Sequence, residues 1–190
     1  MKKKIVVLTG SPRKNGNSFL MADSFISAAE KEGHTVTRFD TAFLDVKPCR
    51  ACGGCFQNGK PCAQTDDYDR IAPAIIEADV VVFITPLYWF TFPAQIKNVI
   101  DRFFCFLRCM PQMEGKECAL IASSGHDTLT AMDGLLVSYA HIAEMLHWRC
   151  AGEVLVTGTR APGAVSETDG CLQAAALAKK LSMELPPMHH

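Results

Sequence analysis

Two periods of apolar and polar residues take turns along this chain. Ile5–Leu8 is an unbroken, mostly β-branched run inside Lys3–Thr9, which predicts a buried first strand. Phe19, Leu20, Ala22, Phe25, Ile26 and Ala29 then recur at helical spacing, predicting a helix from about Ser18 to Lys31 that Gly33 ends. His34–Phe39 alternates as HTVTRF and reads as a second strand near a sheet edge. Further on, helices are predicted over Asp67–Ala78, Pro93–Phe106 (with Pro93 in its first turn), Leu129–Leu146 and Glu167–Glu184. Strands are predicted at Val80–Thr85, Cys118–Ala122 and Cys150–Thr157, the first of these fully buried at the sheet centre. Only Thr41–Asp66 breaks the pattern, as a long irregular insertion rich in cysteine and glycine. The Pro-rich tail after Leu185 is expected to fray.

Five apolar strands separated by helices predict an α/β fold, a doubly wound five-stranded parallel sheet with helices on both faces. A chain of 190 residues defaults to one domain. Here that domain covers residues 1–185, carries the insertion 41–66, and leaves 186–190 as a tail. In such sheets ligands bind beyond the carboxyl ends of the strands. Three loops leave those ends: Gly10–Ser18, Pro86–Phe92 and Ser123–Thr128.

The first loop, GSPRKNGNS, follows a strand and opens a helix, an arrangement that offers backbone N–H groups and a positive helix end to an anion. Ser11, Arg13, Asn15, Asn17 and Ser18 add side-chain donors. A Walker loop is excluded, because five residues separate Gly10 from Gly16 and Asn17 stands where the lysine belongs. The same glycines are too far apart for a dinucleotide fingerprint. A hydroxyl- and amide-rich loop suits one terminal phosphate. The second loop, PLYWFTF, is bulky and apolar, and an exposed patch of that kind marks a ligand or partner surface. The third, SSGHDT, is small and polar; its His126 reads equally well as a ligand contact and as a solvated turn residue. His34, His141 and His147 read as surface or packing residues.

A formal net charge of −1 gives no electrostatic footprint for nucleic acid. No apolar run approaches a membrane span, and no leader pattern follows Met1, so a cytoplasmic protein is expected. Nine scattered cysteines do not form a secreted disulfide framework. Cys49, Cys52, Cys55 and Cys62 are spaced C-x2-C-x2-C-x6-C among glycines, a donor set that can complete a [4Fe–4S] centre. Zinc sites more often split into two CxxC pairs. A metal-free cysteine loop capping the ligand pocket, or a redox disulfide, also fits. Cys105, Cys109, Cys118, Cys150 and Cys171 are expected to be buried thiols.

One phosphate loop, an aromatic wall and a small-residue loop together suit flavin mononucleotide. Here the chain resembles the flavodoxin-like NAD(P)H-dependent FMN reductase family, which includes quinone reductases and iron–sulfur flavoproteins. GSPRKNGNS looks like its phosphate loop and PLYWFTFPAQIKNVIDRF like its isoalloxazine loop and following helix. CRACGGCFQNGKPC before Asp66–Asp67 looks like the cysteine segment of one branch. The resemblance implies that Ser11, Arg13, Asn15, Asn17 and Ser18 hold the phosphate. Pro86, Leu87, Tyr88, Trp89 and Phe90 would line the ring, with Ser124, Gly125 and His126 at its other edge. It further implies NAD(P)H as co-substrate and a small-molecule electron acceptor: a quinone, a flavin, or a nitro or azo compound. The cycle would be ping-pong, run by a homodimer or homotetramer whose interface could include Tyr88–Phe92, Phe103, Phe104 and Phe106. The motif Lys97…Asp101–Arg102 looks structural. An electron carrier serving protein partners, and a scaffold that has lost its flavin, are the competing functions.

Overall fold

The computed structural model describes residues 1–182. Residues 183–184 of the predicted last helix, and the tail after Leu185, lie outside them. The strands are β1 (Lys4–Thr9), β2 (Thr35–Asp40), β3 (Val80–Pro86), β4 (Glu117–Ser123) and β5 (Arg149–Val156). The helices are α1 (Asn17–Lys31), α2 (Tyr68–Glu77), α3 (Ala94–Asp101), the single turn α4 (Met110–Met113), α5 (Asp133–Met145) and α6 (Gly170–Lys180). All neighbouring strands pair in parallel, in the order β2-β1-β3-β4-β5. This is the expected doubly wound sheet, with its switch point between β1 and β3.

The apolar runs explain the burial. Val80–Ile84 and Cys118–Ala122 have no exposed surface, because β3 and β4 are covered on both faces. One face packs Phe83 and Leu120 against Ile96, Phe103 and Tyr139. The other packs Val7 and Val82 against Met21, Phe25 and Ala178. β2 is half-buried and β5 is the opposite edge.

Three predicted helices prove composite. After Asp101 the chain tightens into a 3-10 helix over Arg102–Arg108, which buries Phe103, Cys105 and Phe106 and leaves Phe104 outside. Phe103 and Phe106 are therefore core residues rather than interface residues. Leu129–Met132 and Ala164–Glu167 are likewise 3-10 turns preceding α5 and α6. The cysteine expectation also needs correcting. Cys105 and Cys118 are buried, but Cys109 and Cys171 are half-buried and Cys150 is exposed at the start of the edge strand. His34 is a packing residue, with Nδ1 accepting the Lys3 N–H at 3.0 Å, while His141 and His147 are on the surface. Among the described residues no helix is long and apolar enough to cross a membrane.

Candidate functional site

β1 ends where Gly10 must pass beside β3. A Cβ there would lie 2.6 Å from Thr85 Oγ1 and 2.9 Å from Ile96 Cγ2, so only glycine fits. The chain then folds over itself: the Arg13 N–H donates to Ser11 Oγ at 3.1 Å, and the Gly16 N–H to the Arg13 carbonyl at 3.0 Å. Helix α1 starts at Asn17, so its leading N–H groups face out of the loop. Ser11, Arg13, Gly16, Asn17 and Ser18 wall a small cavity of about 140 Å³ together with Pro86, Leu87, Tyr88, Ser123 and Gly125. The three strand-end loops therefore meet, as the topology requires. Asn15 is exposed and lies outside that wall.

The side chains are not equally available. Asn17 donates its amide to the carbonyls of Thr159 (2.9 Å) and Ala161 (3.0 Å) and accepts the Val165 N–H at 3.1 Å. It therefore acts as a clamp on the loop after β5, and what it offers an anion is its backbone. Ser18 Oγ is 3.2 Å from Ser123 Oγ, both buried. Arg13 is exposed at the rim. That clamped loop is a fourth wall which the sequence reading missed: Thr159, Arg160 and Pro162 close the far side of the cavity. It is latched to the third loop, with Thr159 N–H donating to the Ser124 carbonyl (2.9 Å) and Gly158 N–H to the His126 carbonyl (2.6 Å). Arg160 adds Nε to the Gly125 carbonyl at 2.9 Å and an ion pair to Asp127 at 2.7 Å.

The aromatic loop is a tight turn. Tyr88 and Thr91 exchange two backbone hydrogen bonds of 3.1 Å, and between them Trp89 and Phe90 have φ of 45° and 65°. Bulky residues seldom adopt such angles, and turns of this hand usually carry Asn-Gly. Strain of this kind gathers at functional sites. Phe92 anchors the turn by packing on Phe83 (5.9 Å), while Trp89 is 92% exposed. The Phe90 and His126 rings lie 5.4 Å apart, and Leu87, Trp89, Phe90 and His126 line an apolar cavity of about 340 Å³. Leu87 borders both cavities, so a polar cradle leads directly onto an aromatic slot.

Beside α3, Cys49, Cys52, Cys55 and Cys62 border one cavity of about 510 Å³ with Phe104 and Arg108. The cysteine segment is tied to the end of α3 by the wholly buried pair Arg102–Asp66, with Nη1 at 2.7 and 2.6 Å from the two carboxylate oxygens. Asp66 also accepts the Lys47 and Tyr68 N–H groups, at 3.1 and 3.0 Å. Burial pushes its carboxyl up, but the Arg102 bonds and these two N–H groups outweigh that and hold it below its ordinary value. The guanidinium stacks on Tyr68, 4.2 Å from the ring centre, and interacts with Cys62; its buried Nε and Nη2 find no acceptor in good geometry. The Cys55 thiol is pushed up by burial and then by Cys62, Cys49 and Cys52 around it. Among the described residues no three ligating side chains stand close enough to hold a single metal ion. Lys97 and Asp101 pair across one helical turn, as expected of a structural motif.

Comparison with known proteins agrees with this geometry. Residues 3–157 match the family of NADPH-dependent FMN reductases. An iron–sulfur flavoprotein of Archaeoglobus fulgidus is 34% identical over 113 residues, 60% of this chain and 50% of that protein. The chain thus spans about half the length of the iron–sulfur flavoproteins it first matches. Bacillus subtilis YwqN, whose name describes an NAD(P)H-dependent FMN-containing oxidoreductase, is 28% identical over 185 residues, covering 94% of this chain and 98% of its own. The fold superposes on an NAD(P)H:quinone oxidoreductase from Methanothermobacter marburgensis with a TM-score of 0.73, at 20% identity and full coverage of both chains. With its phosphate-type loop, aromatic turn and strand order all in place, the chain belongs to the NADPH-dependent FMN reductase family.

Proposed function

We propose that this protein is an FMN-dependent NAD(P)H oxidoreductase that reduces a small acceptor such as a quinone, a flavin or a nitro or azo compound. One observation carries the reading: a small polar cradle at a helix N-terminus opens onto an apolar aromatic slot. That order of chemistry fits a phosphate at one end and a flat ring at the other. FMN held there would supply the hydride chemistry of a ping-pong exchange between NAD(P)H and the acceptor.

The protein's part is to bind and orient. The α1 N–H groups, Ser11 and Ser18 would donate hydrogen bonds to the phosphate dianion, and the Arg13 guanidinium would offset part of its charge. Thr159, Arg160 and Pro162 close over it, held there by Asn17. Pro86–Phe90 and Ser124–His126 wall the two edges of the ring, and Trp89, projecting into solvent, offers a surface for a second planar molecule. No side chain has to move a proton for this chemistry. Backbone N–H groups and His126 at the slot are placed to stabilise negative charge that develops on the ring. Exposed Phe104, Leu107 and Met145, which border one apolar groove between the end of α3 and α5, support assembly into a homodimer or homotetramer, which sedimentation would report.

The cysteine segment favours a second, compatible reading in which Cys49, Cys52, Cys55 and Cys62 hold a [4Fe–4S] cluster. Its support is the shared cavity, wider than one ion needs, and the unsatisfied buried N–H groups of Arg102, which suit a neighbouring anionic centre. Anaerobic purification with an absorbance spectrum, iron and sulfide assay, and steady-state NAD(P)H oxidation with menadione tests both readings. Flavin absorbance with turnover supports the enzyme, and flavin with almost no turnover makes the protein an electron carrier. A colourless protein without affinity for FMN overturns the proposal. Iron and sulfide at background leave the cysteine loop a metal-free cap.

A further inference from the structure

Cys118 and Cys150 lie in direct register on the neighbouring strands β4 and β5, with their sulfurs 4.0 Å apart. Neighbouring strands are about 4.8 Å apart, within the Cα separation that a disulfide tolerates. The two thiols differ sharply in environment. Cys118 has no exposed surface and accepts the Tyr139 hydroxyl at 3.3 Å, while Cys150 is exposed near the start of the edge strand. A shift in pairing register directly after Cys118 leaves the ladder irregular at this point, so a local adjustment is easier here than in mid-sheet.

We propose that Cys118 and Cys150 form a reversible dithiol–disulfide pair that a hydroperoxide oxidises, with exposed Cys150 attacking and buried Cys118 resolving. In the first step the Cys150 thiolate attacks a peroxide oxygen. The O–O bond breaks, water or an alcohol leaves with one added proton, and Cys150 becomes a sulfenic acid. In the second step Cys118 sulfur attacks the sulfenyl sulfur. The S–S bond forms, the S–O bond breaks, and hydroxide departs as water with the Cys118 proton. The pair has then lost two electrons to the peroxide oxygens, and an external dithiol returns them. The sulfurs need to close by roughly 2 Å.

The order of attack follows from exposure, since Cys150 is open to solvent and Cys118 is not, and the hydrogen-bond chain agrees with it. Tyr139 donates to Cys118, and Cys118 and Cys150 share a 4.0 Å contact in which either sulfur can donate. The bond from Cys118 is the main cause holding the Cys150 thiol down at about 6, against burial; Cys118 itself is pushed up. The thiolate therefore sits on the solvent side, where a peroxide arrives. Both residues lie at the amino ends of their strands, about five residues from the flavin loops, or roughly 16 Å at the rise of a strand. The pair therefore stands apart from the flavin reading.

Trypsin makes the test direct. Peptide 117–149 contains only Cys118 and peptide 150–160 only Cys150, with the cut falling at Arg149. Full-length protein is treated with a few equivalents of hydrogen peroxide, blocked with iodoacetamide, digested without reductant and mapped by mass. The expected product joins these two peptides at two hydrogens below their summed mass, and dithiothreitol separates them. Cys118→Ala removes both the resolving sulfur and the bond that activates Cys150, so it should form a dimedone-reactive sulfenic acid at Cys150 more slowly and with no cross-link. Cys150→Ser, an exposed position, should leave Cys118 fully alkylatable after unfolding and flavin content unchanged. The proposal fails if wild-type Cys150 goes on to sulfinic acid while Cys118 stays free. It fails equally if either residue links to any of the other seven cysteines.

Discussion

The aromatic turn at Tyr88–Thr91 and the cysteine segment at 41–66 both display chemistry on irregular backbone, yet they are held by opposite means. The turn has two left-handed bulky residues and an almost fully exposed tryptophan, kept in place by two backbone hydrogen bonds and one anchoring phenylalanine. The segment is held by a wholly buried ion pair that ties Asp66 to Arg102 at the end of α3. Both carry left-handed non-glycine residues, Ala51 and Phe56 in the segment's case, but the segment adds a charge pair placed in the core. Left-handed strain disappears on substitution by a freer residue, whereas removing one partner of a buried pair leaves a charge stranded.

The sharpest way to break this comparison is Arg102→Leu. Removing one partner of a buried pair typically costs about 3–5 kcal/mol, so urea unfolding should show a loss of that order. The pair Arg102→Leu with Asp66→Leu should recover much of it. The pH dependence should also weaken. In the native protein Asp66 is held below its ordinary value, so its stabilisation is present above pH 3.8 and is lost as pH falls through the lowered folded value. Without Arg102, burial is opposed only by the Lys47 and Tyr68 N–H groups, so the folded carboxyl should rise from its native value and this pH dependence should shrink. An Arg102→Leu protein as stable as wild type would show that the segment is anchored elsewhere.

Sequence legibility divides along the same line. Strand and helix periods, the phosphate-type loop and the aromatic loop all stand out because each has a local signature: a β-branched run, Gly/Ser/Asn spacing, or five large apolar residues where a loop belongs. The Arg102–Asp66 tie has none, since its partners are 36 positions apart. Arg102 reads as part of a structural helix motif, which it is, without revealing its partner. Thr159, Arg160 and Pro162 were equally invisible, being ordinary turn residues brought to the cavity by β5. Asn17 read as a phosphate donor because amides at a helix start usually are. The fold instead turns its side chain onto that unforeseen loop. The exposed Cys150 misled for a related reason, because burial at the start of an edge strand depends on whether a helix happens to cover it.

Gly134→Ala presses on the turn from behind. A Cβ at this second residue of α5 would lie 2.7 Å from the Phe90 carbonyl oxygen, well inside contact distance. Alanine favours helix by up to about 1 kcal/mol, but the overlap should cost about 1–3 kcal/mol, so a small net loss of stability is expected. The larger effect should be on the site: displacing Phe90 shifts the wall it shares with His126, raising KM for the acceptor several-fold. Unchanged kinetics would mean that Phe90 does not border the reacting ligand.

Trp89→Gly reads the strain itself, and its effect on stability should be the smallest of the three. Glycine adopts φ near 45° without the penalty of about 1–2 kcal/mol that a side chain carries there, though it loses about 0.5–1 kcal/mol of backbone entropy on folding. Because Trp89 is 92% exposed, almost no buried contact is lost with the indole. A net gain of about 0.5–1 kcal/mol in urea unfolding is therefore expected, together with a several-fold rise in KM for a planar acceptor. Stability and activity would then move in opposite directions, which is what strain retained for function predicts. A variant that loses stability would show instead that the indole makes contacts holding the turn together, and the difference between the two regions would then be one of degree.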